Sequence, residues 1–216
     1  VISLTFGLVD GRPVFMDVNA DSYFMLEPTE ERAFLEFVNG RPATATLPRE
    51  FAPPGGPDGL RIEPVRCARP HRSALESHRN RHGSTLTDML AIWRSTLQAR
   101  SELRRQPIGK ILAGLGQSGD ARREPLGASN PAVLAMRFAA ARRLVPIAMN
   151  CLTDSLALLR WLAAYGSGAT LVFGVKLDPF AAHCWAQMDE LLLNDHAERV
   201  ERFTPVRTIE CTPGTP

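Results

Sequence analysis

The sequence predicts an α+β protein with a small sheet-and-helix start, a helical middle and a second group of strands near the end. Three observations carry this. ISLTFGLV, PVFMDV and SYFML are short apolar segments, separated by Asp10-Gly11 and by Asn19-Ala20-Asp21, as in an antiparallel meander. Residues 87–165 carry apolar side chains at helical spacing. TLVFGVKL, PFAAHCWAQ and LLLND then return to strand texture. A chain of 216 residues with 44% hydrophobic content is long and apolar enough to bury a core, as one large domain or two small ones.

After the three strands comes EPTEERAFLEFVNG. Pro28 and Thr29 open a helix, acids fill its first turn and Gly40 closes it. Ala33, Phe34, Phe37 and Val38 form its apolar face. Seven prolines between 42 and 70 interrupt regular structure, although GLRIEPV has the texture of a further short strand. A boundary falls near residue 70 and divides the chain into 1–70 and 71–216. RCARPHRSALESHRNRH, residues 66–82, reads as a solvated basic linker or helix face. His71, His78 and His82 would have to converge to hold a metal, and no metal site is expected. No aromatic is interleaved there to stack on bases.

The next helix covers Thr87–Arg105, with Met89, Leu90, Trp93 and Leu97 as its packing stripe. Residues 114–130 are Gly-rich and polar, hence a loop. Asn130-Pro131 cap and start a helix running to about Leu144. Cys151–Tyr165 is a third helix with Leu152, Leu156, Leu159, Leu162 and Ala163 on one face, stopped by Gly166.

A net charge of +2 gives no global attraction to nucleic acid or anionic lipid. No run of 18 apolar residues exists, so no membrane span is expected. No charged-then-apolar leader opens the sequence. The four cysteines, Cys67, Cys151, Cys184 and Cys211, show no CxxC pair, which fits free thiols in a reduced cytoplasm.

Catalytic chemistry is suggested by a histidine and an aspartate in PFAAHCWAQMDELLLND. With a three-residue loop at Met188–Glu190, a hairpin sets Gln187 opposite Leu191, Trp185 opposite Leu193 and His183 opposite Asp195. Directly opposed residues share a face, with Cβ atoms about 4.5–5.5 Å apart. A two-residue loop would put His183 and Asp195 on opposite faces. A histidine oriented by a carboxylate suits a base for a nucleophile. Cys151 is the candidate nucleophile, because a helix N-terminus favours a thiolate. Its own backbone N–H and Asn150 are candidate oxyanion donors. Cys184 points to the other face and reads as core filling.

NCLTDSLALLRWLAAYG, TLVFGVKLDPFAAHCWAQ and LLLND together resemble the B protein of lasso peptide biosynthesis. That family has a Cys-Leu…Ser-Leu-Ala-Leu helix, a Gly-Val…Pro-Phe-x-Ala-His-x-Trp strand and a closing Asn-Asp. The resemblance covers about residues 130–207. DGRPVFMDVNADSYFML and its following helix are similar to the leader-recognition domain of ribosomal peptide pathways, which makes the chain look like the fused form. Thr153-Asp154, Cys184, Gln187, Asp189-Glu190 and the Pro-rich stretch depart from the usual pattern. They touch substrate or partner contacts and leave the three polar positions intact.

The resemblance implies a winged-helix-like recognition domain followed by a papain/transglutaminase-like cysteine peptidase that removes the leader of a lasso precursor. Cys151, His183 and Asp195 fall on its triad positions. The implied partners are the precursor leader and an ATP-dependent, asparagine-synthetase-like cyclase. No cofactor is implied for this chain, and any ATP dependence would come through that cyclase. The leader is expected to add to the edge strand carrying Tyr23, Phe24, Met25 and Leu26. Phe24 and Leu26 are expected to pack inward, with Tyr23 and Met25 nearer the peptide. Two other readings are acyl transfer to an amine by the same triad and a non-enzymatic, winged-helix-like protein binding DNA or peptide.

Overall fold

A computed structural model of the chain describes residues 4–40, 64–76, 84–115 and 130–211. The architecture is α+β, with a three-stranded sheet first, then helices and a five-stranded sheet.

Strands β1 (Leu4–Val9), β2 (Arg12–Asp17) and β3 (Ser22–Met25) form an antiparallel meander in chain order. Val9 faces Arg12 across Asp10 and Gly11, whose φ values are 51° and 81°. Two positive-φ residues in a two-residue loop match the twist of the flanking strands. Alternation then sorts the side chains. Phe6, Phe15, Phe24 and Leu26 face helix α1 (Pro28–Val38). Phe34 of α1 meets Phe6 and Phe15 edge-on, with both pairs of ring centroids at 5.1 Å. Val9, Val14, Met16 and Val18 join a larger core with the helices that follow, and Tyr23 and Met25 pack against it.

The second sheet runs in the order β4 (Arg72–Ser73), β7 (Leu191–Leu192), β6 (Ala181–Met188), β5 (Ala169–Lys176), β8 (Thr204–Cys211). β4 is parallel to β7, and the other pairs are antiparallel. The two sheets meet where β1 crosses β8. A Cβ on Gly7 would lie 2.2 Å from the Pro205 carbonyl oxygen, so only glycine permits this approach. Beside it, the Thr5 hydroxyl donates to the Val206 carbonyl at 2.8 Å.

Helices α2 (Leu86–Arg105), α3 (Ile108–Leu115), α4 (Pro131–Arg142), α5 (Cys151–Ala164) and the short α6 (Ala197–Val200) complete the fold. The strands β4 and β8 and the helices α3 and α6 are not foreseen by the sequence reading. α5 packs on β6 and β5 with one side and on α2 and α4 with the other. Leu156, Ala157, Leu158, Leu159, Trp161 and Leu162 are therefore all buried. The single apolar face expected for this helix is too narrow, since Ala157, Leu158 and Trp161 are buried beside Leu156, Leu159 and Leu162, and it is misplaced at its end, where Ala163 is exposed and Leu152 half-buried.

The packing stripe expected for α2 is also corrected. Asp88, Ile92, Thr96 and Ala99 are its buried residues, whereas Leu90 is 63% exposed and Trp93 and Leu97 are exposed too. Buried Asp88 is held by Arg137 of α4 at 2.6 and 3.0 Å, and Thr96 donates to the Ile92 carbonyl. Small side chains and a satisfied carboxylate let the neighbouring helices come close; larger leucines on that face would hold them apart. His78 and His82, most of GLRIEPV, and nearly all of the 114–130 loop lie outside the described residues.

Candidate active site

Cys151 is the first residue of α5. Asn150 caps the helix, its Oδ1 accepting from the N–H groups of Leu152 at 3.1 Å and Thr153 at 3.2 Å. No described group accepts the Cys151 N–H. The approach to this turn is fixed by Arg142, which is almost fully buried. Its guanidinium donates to Asp154 Oδ1 at 2.7 Å, to the Ile147 carbonyl through both terminal nitrogens at 3.0 Å, and to the Ala148 carbonyl at 3.2 Å. Asp154 Oδ2 accepts from the Asn150 N–H at 3.2 Å. One buried cation thus ties the incoming loop to the first turn of α5. Nothing in the local sequence pattern marks Arg142 for this role.

The β6–β7 hairpin differs from the register expected. Met188 faces Leu191 and Gln187 faces Leu192, so the loop is the two-residue Asp189-Glu190, with Asp189 at φ 49°. Continued, this ladder would set Asp195 opposite Cys184, on the face away from His183. It does not continue. Its last bond runs from the Leu193 N–H to the Ala186 carbonyl at 3.0 Å, and the chain bends over 193–195. Asn194 makes the bend: its Oδ1 accepts from the Ala186 N–H at 2.8 Å and its Nδ2 donates to Ser155 Oγ on α5 at 2.8 Å. Ser73 Oγ of β4 holds the Asp195 carbonyl at 2.6 Å. Asp195 is thereby turned back to His183, and its Oδ2 is hydrogen-bonded to His183 Nε2. The proximity expected of these residues is found, but it is reached by a break in the ladder.

The bend also leaves the first half of β6 with an open edge. Backbone N–H groups of residues two apart point the same way. The Cys184 N–H therefore points outward, as the Ala186 N–H does, and it favours the Cys151 thiolate. From the two faces of the strand, the Cys184 thiol and the His183 imidazole reach the same sulfur. Since Asp195 takes Nε2, Nδ1 is the nitrogen left for Cys151. Cys184 is buried in the core, as expected of a small apolar residue, yet its thiol also touches the reactive centre. Behind β6, a Cβ on Gly174 would lie 2.7 Å from the Trp185 ring, so Gly174 makes room for the tryptophan beside His183. Gln187 fixes that ring, accepting from Trp185 Nε1 at 2.7 Å and donating to the Ala68 and Asp189 carbonyls.

These contacts set the charges. The hydrogen bond from the Cys184 thiol, then those from His183 and the Cys184 N–H, overcome partial burial and bring the Cys151 thiol down to about 4. Burial works against the His183 cation, but the bonds to Asp195 and Cys151 outweigh it and raise the imidazole to about 9. For Asp195 burial is likewise the largest influence, yet its bonds to His183 and the His196 N–H hold its carboxyl below the usual range. Cys184 is pushed well up, first by its bond to Cys151 and then by burial. Near neutral pH the arrangement is thiolate, imidazolium and carboxylate in a row. Such a row supplies a nucleophile and a proton donor to an acyl centre. Among the described residues no cluster of His, Cys, Asp and Glu is placed to hold a metal ion.

A cavity of about 140 Å³ opens at the sulfur, lined by Leu152, Phe173, Ala182 and Cys184 and, from the N-terminal sheet, by Tyr23. Met25 shares Tyr23's side of β3, while Phe24 and Leu26 lie on the α1 side. No described helix is long and apolar enough to cross a membrane. A model described as the transglutaminase-like superfamily matches residues 93–208, from within α2 to within β8. Searches of curated proteins and of solved structures gave no match.

Proposed function

Because the chain belongs to the transglutaminase-like superfamily, we propose that it is a cysteine peptidase that binds and removes the leader of a lasso precursor. One observation carries the chemistry: a cysteine at a helix N-terminus lines the same cavity as an imidazole that is held from its other side by Asp195. The superfamily groups enzymes of the cysteine type, which supports acyl chemistry at this sulfur. The leader assignment rests on the Cys-Leu, Ala-His-x-Trp and Asn-Asp motifs and on the recognition-like meander.

In the proposed reaction the Cys151 thiolate attacks the scissile carbonyl. His183, already protonated, gives its proton to the departing amine. It then takes one from the water that hydrolyses the thioester. Asp195 fixes the ring orientation throughout. The Cys151 N–H is the first oxyanion donor, with Asn150 as the candidate for the second. Cleavage needs no cofactor on this chain. The released amine goes to the partner cyclase, which uses ATP to close the ring.

The test is mass spectrometry of a candidate precursor incubated with the chain. The expected products are a leader ending in a free carboxylate and a core peptide with a new amine. Cys151→Ala should abolish both while leaving leader binding near its original strength. A leader recovered as an amide would replace hydrolysis with acyl transfer. Cleavage retained by Cys151→Ala would end the assignment of this nucleophile.

A further inference from the structure

Helix α2 carries an apolar seam that the fold leaves open. Leu86 is 78% exposed, Leu90 63%, and Trp93 and Leu97 44% each, while Ile92, Thr96 and Ala99 of the same helix are buried. The seam steps by four, three and four residues, which is the heptad spacing of paired helices. At about 100° per residue its four positions fall within an arc of roughly 60°. An apolar stripe that faces a core or a lipid surface is wider. The charges around the seam have one sign. Arg94 lies beside it, and Arg100, Arg104 and Arg105 follow toward the C-terminal end. Both acids of α2 are already taken, Asp88 by Arg137 and Glu102 by Arg160, so no acid of the helix is left for its four arginines.

We infer that this face of α2 docks an amphipathic helix of a partner protein, one with leucine-like side chains at the same heptad spacing and acidic residues along its flanks. A seam one side chain wide is matched by a cylinder, and a helix laid along it sets its own apolar row between Leu86, Leu90, Trp93 and Leu97. Trp93 is the anchor, with Leu90 and Leu97 on either side of it; tryptophan and arginine are the residue types that dominate such interfaces. Charges beside a seam choose the partner, so Arg94 and Arg104 select carboxylates. A second copy of α2 fits less well, because it brings the same cations and no free acid. Lipid fits less well, because the seam is too narrow to sink into a bilayer surface. No residue of α2 lines the cavity at the Cys151 sulfur, so docking and chemistry can be measured separately.

The experiment uses the full chain and three fluorescein-labelled synthetic peptides, each three heptads long. The first has leucine at the first and fourth heptad positions and glutamate at the fifth and seventh. The second has lysine in place of glutamate, and the third has serine in place of leucine. Binding is read by fluorescence anisotropy. The leucine–glutamate peptide should bind about tenfold or more tighter than either of the others, and its affinity should fall as salt rises. Trp93→Ala and Leu90→Ser, changes at exposed positions that leave the fold intact, should each weaken it by about tenfold or more. Arg94→Glu together with Arg104→Glu should turn the preference toward the lysine peptide. Alkylation of Cys151 by iodoacetamide should stay unchanged in every variant, which separates loss of docking from loss of folding. Equal binding of the three peptides, no binding, or binding indifferent to Trp93 and Leu90 overturns the docking face. Co-sedimentation with vesicles of phosphatidylcholine and phosphatidylglycerol that Trp93→Ala abolishes overturns it in favour of a lipid surface. A concentration-dependent dimer in sedimentation velocity that Leu90→Ser abolishes overturns it in favour of a second copy of the chain.

Discussion

Cys151 hangs from a helix terminus whose incoming loop is gripped by a buried guanidinium, whereas His183 stands on a strand whose carboxylate partner is delivered by a neutral amide. On the nucleophile side, Arg142 and Asp154 are both largely buried and bonded to each other and to backbone. On the base side, Asn194, Ser73 and Gln187 make only neutral bonds until Asp195 itself is reached. Charge holds one half and hydrogen-bond geometry holds the other. The two halves should therefore fail differently: removing one partner of a buried ion pair leaves an uncompensated charge, while removing a neutral partner leaves an unmet bond.

The largest loss is expected where the halves join. Asp195→Asn keeps the shape but removes the charge that stabilises the imidazolium and fixes its orientation. Turnover should fall by roughly 10²–10⁴-fold, the range for acid–base groups, with the folded state preserved by circular dichroism. A loss below threefold would show that His183 is oriented without it.

Next is the charged clamp. Arg142→Met should destabilise the chain by about 3–5 kcal/mol in denaturant unfolding, because Asp154 then has no cation beside it. Replacing both residues, Arg142→Met with Asp154→Leu, should cost less than Arg142→Met alone. If the double variant is the less stable one, the clamp acts by its bonds to the loop carbonyls and not by charge. Asn194→Ala should cost about 1–3 kcal/mol, the range for a buried bond left unmade. It should also lower turnover more than its stability loss explains, since the bend presents Asp195. Equal behaviour of Asn194→Ala and Arg142→Met in stability would erase the contrast between the halves.

The sequence makes one half far easier to read than the other. The start of α5 at Cys151 and the β6 strand follow from local chemistry, apolar periodicity and alternation. So does the Asp10-Gly11 turn, because two residues with positive φ are what that hairpin needs. The Asn150 cap is not foreseen, although a side-chain oxygen before a helix is its local signal. The approach of Asp195 to His183 is guessed from a ladder, yet it comes from a bend that Asn194 closes onto β6 and α5, contacts 8 and 39 residues away in sequence. Asn194 is visible as half of the Asn-Asp motif but its bonds are not. Arg142 is invisible for the same reason: its partners are carbonyls, which every residue has. The face of α2 is misread because apolarity was weighed without asking how closely its neighbours approach. Ala99 and Thr96 fit there and Leu90 does not.

The smallest expected effect is a near-absence of change, and it isolates the electrostatics of the nucleophile. Alkylation by iodoacetamide proceeds through the thiolate. With its thiol near 4, Cys151 is almost wholly ionised at both pH 6 and pH 8. Its alkylation rate should therefore differ by less than about twofold between them. Cys67 and Cys211, pushed to about 11 by burial, should slow by roughly a hundredfold over the same interval, because their thiolate fraction falls tenfold per pH unit. Below about pH 5 the Cys151 rate should drop as the thiol regains its proton. Near pH 9 the imidazolium loses its own, and with it one of the interactions that depress the thiol. The folded state follows the same signs. The lowered thiol contributes stability that is full above its unfolded value of 9 and is lost as pH falls toward 4. The raised imidazole contributes stability that is full below 6.5 and is lost as pH rises toward 9. Peptide mapping after timed alkylation resolves the three cysteines in one sample. A hundredfold slowing at Cys151 between pH 8 and pH 6, like that of the other two, would show that the helix terminus, Cys184 and His183 leave its thiol unactivated.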